Sequence, residues 1–390
     1  VGGENNNVAI GYLAMTAVNE TGNTRTADSN IAIGKGALYG GTLAVDKDLY
    51  YNIAIGHQAL DNTASNAQTG TIAIGANALG GLTDGSGNIA IGYQASLLQT
   101  GGINNVVIGY QAMDAADNGE DNCIAIGHSA LGNLDSASAE HNIAIGSFAG
   151  DGMGGFASQN NIFMGSNAGG GTWVTAASSQ NVAIGSSAMA GAMNGALNNT
   201  CVGHNALTAL ITGDGNVAVG SGAGALATSG YSNVLIGYGA ADLLVGGGDN
   251  VAIGKDAMNA ANGGESMNVA IGTDALGAMD SSVDNFNTAV GYQAGLAETT
   301  GIKNTYIGAL SNGTANQTGK TAVGYACEVN ATDTVCIGRD SVASGASSVC
   351  IGWNITNSAT ETIKIGLGSD FITNDFGENA TWTHSSDERI

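Results

Sequence analysis

Proline is absent from the 390 residues, and aromatic side chains make up only 5% of them. A chain of this length has room for two or three globular domains, but so few rings cannot fill the large cores such domains need. The 64 glycines follow no collagen period and have no proline beside them, which excludes a triple helix. Cations are scarce as well: nine Lys and Arg stand against 32 Asp and Glu, a net charge of −23 in a chain only 11% charged. Acidity of this kind speaks against nucleic acid and against an anionic membrane surface as partners. Assembly of several such chains calls for screening, by salt or by loosely bound divalent cations, and no other cofactor is indicated. No apolar run reaches the roughly eighteen residues of a membrane-spanning helix, and nothing at the N-terminus reads as a signal peptide. Val1-Gly2-Gly3-Glu4 leads directly into repeated sequence, as expected of a chain cut from something longer.

What the chain does have is one stretch used again and again. Asn250-Val251-Ala252-Ile253-Gly254-Lys255-Asp256-Ala257 recurs in twenty-one copies when aligned on its glycine, from Gly11 to Gly366. A unit repeated at short spacing marks a stacked fold in which each repeat touches only its neighbours. The residue before the glycine is Ile, Val or, once, Met164; three before it stands Val, Ile or Thr; between them lies mostly Ala. Large, small, large is strand alternation, with the two large residues on one face. That face is expected to be the interior, filled by a single file of Ile and Val. The glycine suits a tight corner or a positive φ. Three residues after it, Ala holds in sixteen consecutive copies from Ala14 to Ala294, a place where a bulkier group would meet a neighbouring rung or chain. Four residues before it, Asn occupies fifteen of the twenty-one copies. Stacked asparagines can bond one another up the column, or each can simply open its strand as a turn residue.

The last three intervals, Gly324 to Gly366, are fourteen residues each, and earlier ones run from sixteen to twenty-three. The surplus is polar and glycine-rich, as in Asp117-Asn118-Gly119-Glu120-Asp121, and belongs in surface loops. A single turn buries too little apolar surface to offset the ordering of its own backbone. Neighbours in the stack and neighbouring chains must supply the difference. The expected fold is therefore all-β: a parallel β-solenoid or β-roll of about twenty-one short rungs over residues 1–366, in a homotrimeric rod with two further copies, capped by residues 367–390.

Residues for chemistry are few. His57, His128 and His204 each follow a repeat glycine, a slot that also takes Tyr, Lys, Ser and Thr, so it reads as an exposed or interchain surface rather than a metal site. Acidic residues are scattered singly in loops, without the converging pair that glycoside cleavage needs. Glycine runs such as Gly246-Gly247-Gly248 lack the Lys and helix of a phosphate loop, and Asp117 to Asn122 is not an EF-hand loop. The chain reads as a non-enzyme. Cys201, Cys336 and Cys350 take the small middle slot of a strand and Cys123 precedes one. Cys336 and Cys350 would stack with parallel side chains, a poor geometry for a bridge, so these are read as buried small residues. Tyr39, Tyr50 and Tyr51, with Asp46 and Asp48, crowd one loop, and Trp173 stands in another. Exposed aromatics suit contact with a host cell-surface glycan or protein; the other reading makes them covers over the solenoid edge.

The segment from Thr321-Ala322-Val323-Gly324-Tyr325-Ala326-Cys327 through Val349-Cys350-Ile351-Gly352 resembles the fourteen-residue head repeats of trimeric autotransporter adhesins. The longer rungs before Gly308 look more like the elongated repeats of phage tail fibres. The resemblance implies a left-handed parallel β-roll in a three-chain bundle. Beyond the last rung, Ala380-Thr381-Trp382-Thr383-His384-Ser385-Ser386-Asp387-Glu388-Arg389-Ile390 resembles the start of the self-cleaving, endosialidase-type intramolecular chaperone of phage tail spikes and fibres. In that family a Ser-Asp bond is cut after folding, with the Ser as nucleophile and a Lys shortly downstream. Ser386-Asp387 matches the junction, and no such Lys follows in this chain. The reading is then an extracellular structural shaft of a phage-type tail fibre, with host-surface recognition as an added role. A bacterial trimeric adhesin or a fibre borrowed from a phage is the alternative, and a polysaccharide-degrading spike stands last.

Overall fold

The computed structural model describes residues 6–16, 27–40, 49–63, 68–117, 119–281 and 283–375, and the backbone of 379–384. The fold is all-β, a parallel β-solenoid of about 18 turns. No helix occurs among the described residues, so none is long and apolar enough to cross a membrane. The chain divides into two compact units, residues 1–199 and 200–390.

In the first unit, strands of three residues pair in parallel and in register from Val8–Ile10 to Val182–Ile184. Ile31 lies opposite Val8 and Ile53, and Ala32 opposite Ala9 and Ala54, so each copy of the repeat stacks on its equivalent. A short second ladder joins Ala27–Asp28, Leu49–Tyr50 and Gln68–Thr69. The second unit repeats the main ladder from Thr200–Val202 onward. Where its turns shorten to fourteen residues, a second ladder appears through Asn312–Gly313, Glu328–Val329, Val342–Ala343 and Thr356–Asn357. The parallel stack ends at Thr362–Leu367. That strand also pairs antiparallel with Asp370–Asp375, which in turn pairs with Asn379–His384.

Gly254 shows why the repeat ends its strand on glycine. Its φ is +136°, and a Cβ there would lie 2.6 Å from the carbonyl carbon of Gly272 on the next turn. The backbones of successive corners approach too closely for any side chain. Asn250 shows what its column does. Its backbone N–H and Nδ2 both donate to Asn233 Oδ1 at 3.0 Å, and Nδ2 also reaches the Glu265 carbonyl at 2.7 Å. Asn250 Oδ1 in turn accepts the N–H and Nδ2 of Asn268, both at 3.1 Å. The same ladder climbs Asn142, Asn161, Asn181 and Asn199 in the first unit. The turn itself is made one residue earlier, at Asp249 with φ +58°.

The interior is the reverse of the expected one. In each regular strand the middle residue is buried, as Ala252 is between Val251 and Ile253, while the two aliphatics flanking it stay partly exposed. The alternation is real, but the small member points inward. Ala257 and its equivalents from Ala37 to Ala294 join it inside, also fully buried. So do the leucines and methionines four after the glycine, such as Leu207, Met258 and Leu276. These adopt left-handed φ near +50°, a conformation that costs a leucine about 1–2 kcal/mol and persists here because it drives the side chain into the core.

One interior volume is shared between that slot and the middle slot of the following strand. Where the strand carries Phe, Leu or Tyr in the middle, the slot before it is glycine. A Cβ on Gly150 would come within 3.1 Å of Phe163, on Gly224 within 2.7 Å of Leu235, and on Gly295 within 2.8 Å of Tyr306. That shared volume takes one large side chain, from the slot or from the strand but not from both, so there is no room for two Ile or Val per strand to face inward.

Candidate functional site

Turning the aliphatic pair outward puts columns of Ile and Val on the surface of the described residues. In the second unit Val202, Val219, Ile236, Ile271, Ile307 and Ile337 are each between 36% and 42% exposed, stacked in one column. A parallel column of half-buried Val and Thr runs two residues earlier. The first unit has the same face, with Ile10, Val8, Met164 and Ile184 the most open members. Aliphatic columns continued over many turns, without interleaved charge, are what a soluble surface normally avoids unless something packs on them.

In each unit the slot after the glycine forms a second outer column. Tyr12, Tyr93, Tyr110, Tyr238, Tyr292 and Tyr325 are all exposed there. In the first unit Tyr93 stacks on Tyr110 at 5.2 Å and Tyr110 on His128 at 5.4 Å; Phe148, one slot later, meets His128 edge-on at 4.7 Å. Rungs repeat at ring-stacking distance, so any turn that places an aromatic here extends the ladder.

Of the aromatics singled out in the sequence, Tyr39 lines an open groove of about 530 Å³ with Leu13, Lys35, Gly36, His57, Gln58 and Asp61. A cation, an imidazole, a carboxylate and a phenol converge there, a donor and acceptor set suited to a polyhydroxylated ligand. Burial holds the Asp61 carboxyl above its ordinary range, against the opposing hydrogen bond from Gln58 and charge of His57. Tyr50 and Tyr51 pair with each other at 6.1 Å, Tyr51 exposed, and do not line that groove. Trp173 is 4% exposed and meets the Phe163 ring edge-on at 6.2 Å. It covers the core at the layer where Phe163 replaces alanine, and offers no face to a receptor in this chain. Asp46, Asp48, Ser386 and Asp387 lie outside the described residues. The five cysteines are buried and unbridged, and burial pushes the Cys123 thiol up to about 11, which makes it inert.

No family model matches the chain, and no curated protein matches it in sequence. The surfaces must be read from their own chemistry.

One buried group escaped the sequence reading. Lys320 and Glu298 are both fully buried and form an ion pair at 2.7 Å. Glu298 Oε2 also accepts Tyr306 O–H at 2.7 Å and Asn304 Nδ2 at 3.1 Å, and Oε1 accepts the N–H groups of Gly301 and Asn316. Lys320 Nζ makes a further bond to the Thr314 carbonyl at 2.6 Å. The Tyr306 hydroxyl is pushed strongly up by its burial and by the adjacent carboxylate. The signal was present: Lys320 stands where the preceding copies carry Asn, and Tyr306 where most carry Ala. The network sits where turns shorten toward fourteen residues. It satisfies groups that the asparagine ladder, ended at Asn304, no longer serves.

Proposed function

We propose that the chain is the shaft of a homotrimeric fibre of the phage-tail type, in which the outward aliphatic columns of three copies pack on one another. The observation that carries this is the inverted strand: alanine inside, Ile and Val outside, turn after turn. A monomer has no use for such a face, and copies related by a rotation axis along the stack can each bury it against the next. The shaft works outside the cell, on a virion or a surface fibre, and its role is structural rather than catalytic. The groove beside Tyr39 and the tyrosine ladder are the places where a host-surface glycan would be held, since they offer polar groups and rings at the rung spacing.

The test is the solution mass of the chain by light scattering at micromolar concentration. The expected mass is three chains. The double variant I236D/I271D, which places two carboxylates on the outer column and leaves the alanine core untouched, is expected to shift the species to one chain while retaining its β circular dichroism. A wild-type chain that is monomeric at tens of micromolar overturns the reading.

A further inference from the structure

Three glutamates are wholly buried among the described residues: Glu120, Glu265 and Glu298. Two are fully satisfied. Glu265 Oε1 accepts the Ser281 N–H at 2.6 Å and Oε2 the Gly263 N–H at 3.0 Å. Glu298 has its lysine, tyrosine and asparagine partners. Glu120 differs: Oε1 accepts the Ser136 N–H at 3.0 Å, while Oε2 is buried with no partner at all. An orphaned carboxylate oxygen inside a protein is costly unless a cation or proton meets it.

The neighbours of Glu120 make its state worse in the absence of a cation. Asp117, three residues earlier in the same loop, and Asp135, on the following turn, each bring a carboxylate oxygen to within 4.8 Å of the others. Burial first, then the charges of Asp117 and Asp135, work against the ionised Glu120 carboxyl; backbone N–H groups oppose them and no basic side chain does. The loop is nonetheless fixed. Thr100 donates both its N–H, at 3.0 Å, and its hydroxyl to the Asp117 carbonyl, and the Asn105 amide reaches the Glu120 carbonyl at 2.6 Å. Thr100 and Asn105 thus fix this segment through its carbonyls, and Glu120 Oε2 is left with no partner.

We propose that Asp117, Glu120 and Asp135 hold a calcium ion that ties one turn of the first unit to the next. The donor set is all oxygen, which selects a hard cation over zinc or copper. Calcium accepts six to eight oxygens in irregular geometry, water included, whereas magnesium demands a near-ideal octahedron and gives up its own waters reluctantly. Asp135 is exposed, so water completes the coordination from that side. The orphaned Glu120 oxygen is the group such an ion would satisfy, and the ion would tie Asp117 and Glu120 to Asp135 on the next turn. The site lies within one chain, so it stands or falls independently of the trimer.

The experiment is calorimetric titration of the EDTA-treated, dialysed full chain with calcium chloride and, separately, magnesium chloride, with hydrogen exchange of segment 117–136 measured with and without calcium. One saturable calcium site per chain is expected, with magnesium at least tenfold weaker and exchange in that segment slowed by calcium. The variant D117N/D135N is expected to weaken calcium at least tenfold and to abolish the slowing; D135N alters an exposed residue and carries the test should the double variant not fold. No saturable calcium binding up to millimolar concentration overturns the proposal. So does equal affinity in the variants, which would mean diffuse attraction to an acidic surface.

Discussion

At the scale of single residues, the chain tolerates unusual choices wherever a neighbour on the adjacent turn compensates for them. Lys320 and Glu298 are the sharpest case, two opposite charges with no exposure, held by five further hydrogen bonds. Removing one partner leaves the other charge buried and uncompensated, which typically destabilises by about 3–5 kcal/mol. K320M should therefore lower the urea midpoint sharply. K320M/E298Q removes both charges yet keeps an acceptor for the Tyr306 hydroxyl, and should recover most of the loss. If the double variant is as unstable as K320M, the lysine acts through packing and not through its charge. The buried thiols supply a readout for such experiments. Cys123, Cys327, Cys336 and Cys350 are closed to reagent in the folded chain and labelled only as their turns open.

At the scale of the turn, the shared interior slot makes a quantitative claim. L235A should open a cavity beside Gly224 and cost about 2–5 kcal/mol, and G224L alone should overpack the same space and cost about 1–3 kcal/mol. Leucine is conformationally acceptable at that slot, because Leu207 and Leu276 adopt φ of +49° at equivalent positions. The double variant G224L/L235A rebuilds the arrangement of the regular turns, so the two effects should not add, and the coupling in a double-mutant cycle should exceed about 1 kcal/mol. Additive losses would mean that the two side chains occupy separate volumes. This pairing also marks what was legible. Strand, corner and column could be read from Asn250-Val251-Ala252-Ile253-Gly254, because each depends on residues close in sequence. Which face of the strand is inside could not, since alternation with period two is the same whichever side is buried. The choice is made by the return of the chain, eleven residues away from Leu235 at Gly224, and the substitutions of Phe163, Leu235 and Tyr306 opposite glycine are its only trace in the sequence. The acidic cluster was hidden for the same reason. Asp117 and Glu120 look like ordinary loop residues until the stack brings Asp135 beside them.

At the scale of the whole molecule, the acid excess and the thinness of the turns combine to set how stability responds to pH. Asp61, Asp114, Asp151 and Asp242 all stand five residues after a repeat glycine, partly buried at the same corner. Burial raises each of their carboxyls above the ordinary value of 3.8. A group whose proton is held more tightly in the folded state favours folding below its unfolded pKa, and that contribution is lost as pH rises through the folded value. In the window just above the ordinary carboxylate value the folded chain therefore binds more protons than the unfolded one, and stability should increase as the solution is acidified. The net charge of −23 acts in the same direction, since protonation relieves self-repulsion. The urea midpoint is thus expected to be higher at about pH 4.5 than at pH 7, the opposite of ordinary acid denaturation. High salt separates the two causes: it screens repulsion between exposed charges but leaves the burial of the four aspartates unchanged. A pH effect that survives in about 1 M salt belongs to those corners, one that vanishes belongs to the surface field, and a midpoint that falls on acidification would show that neither governs the fold.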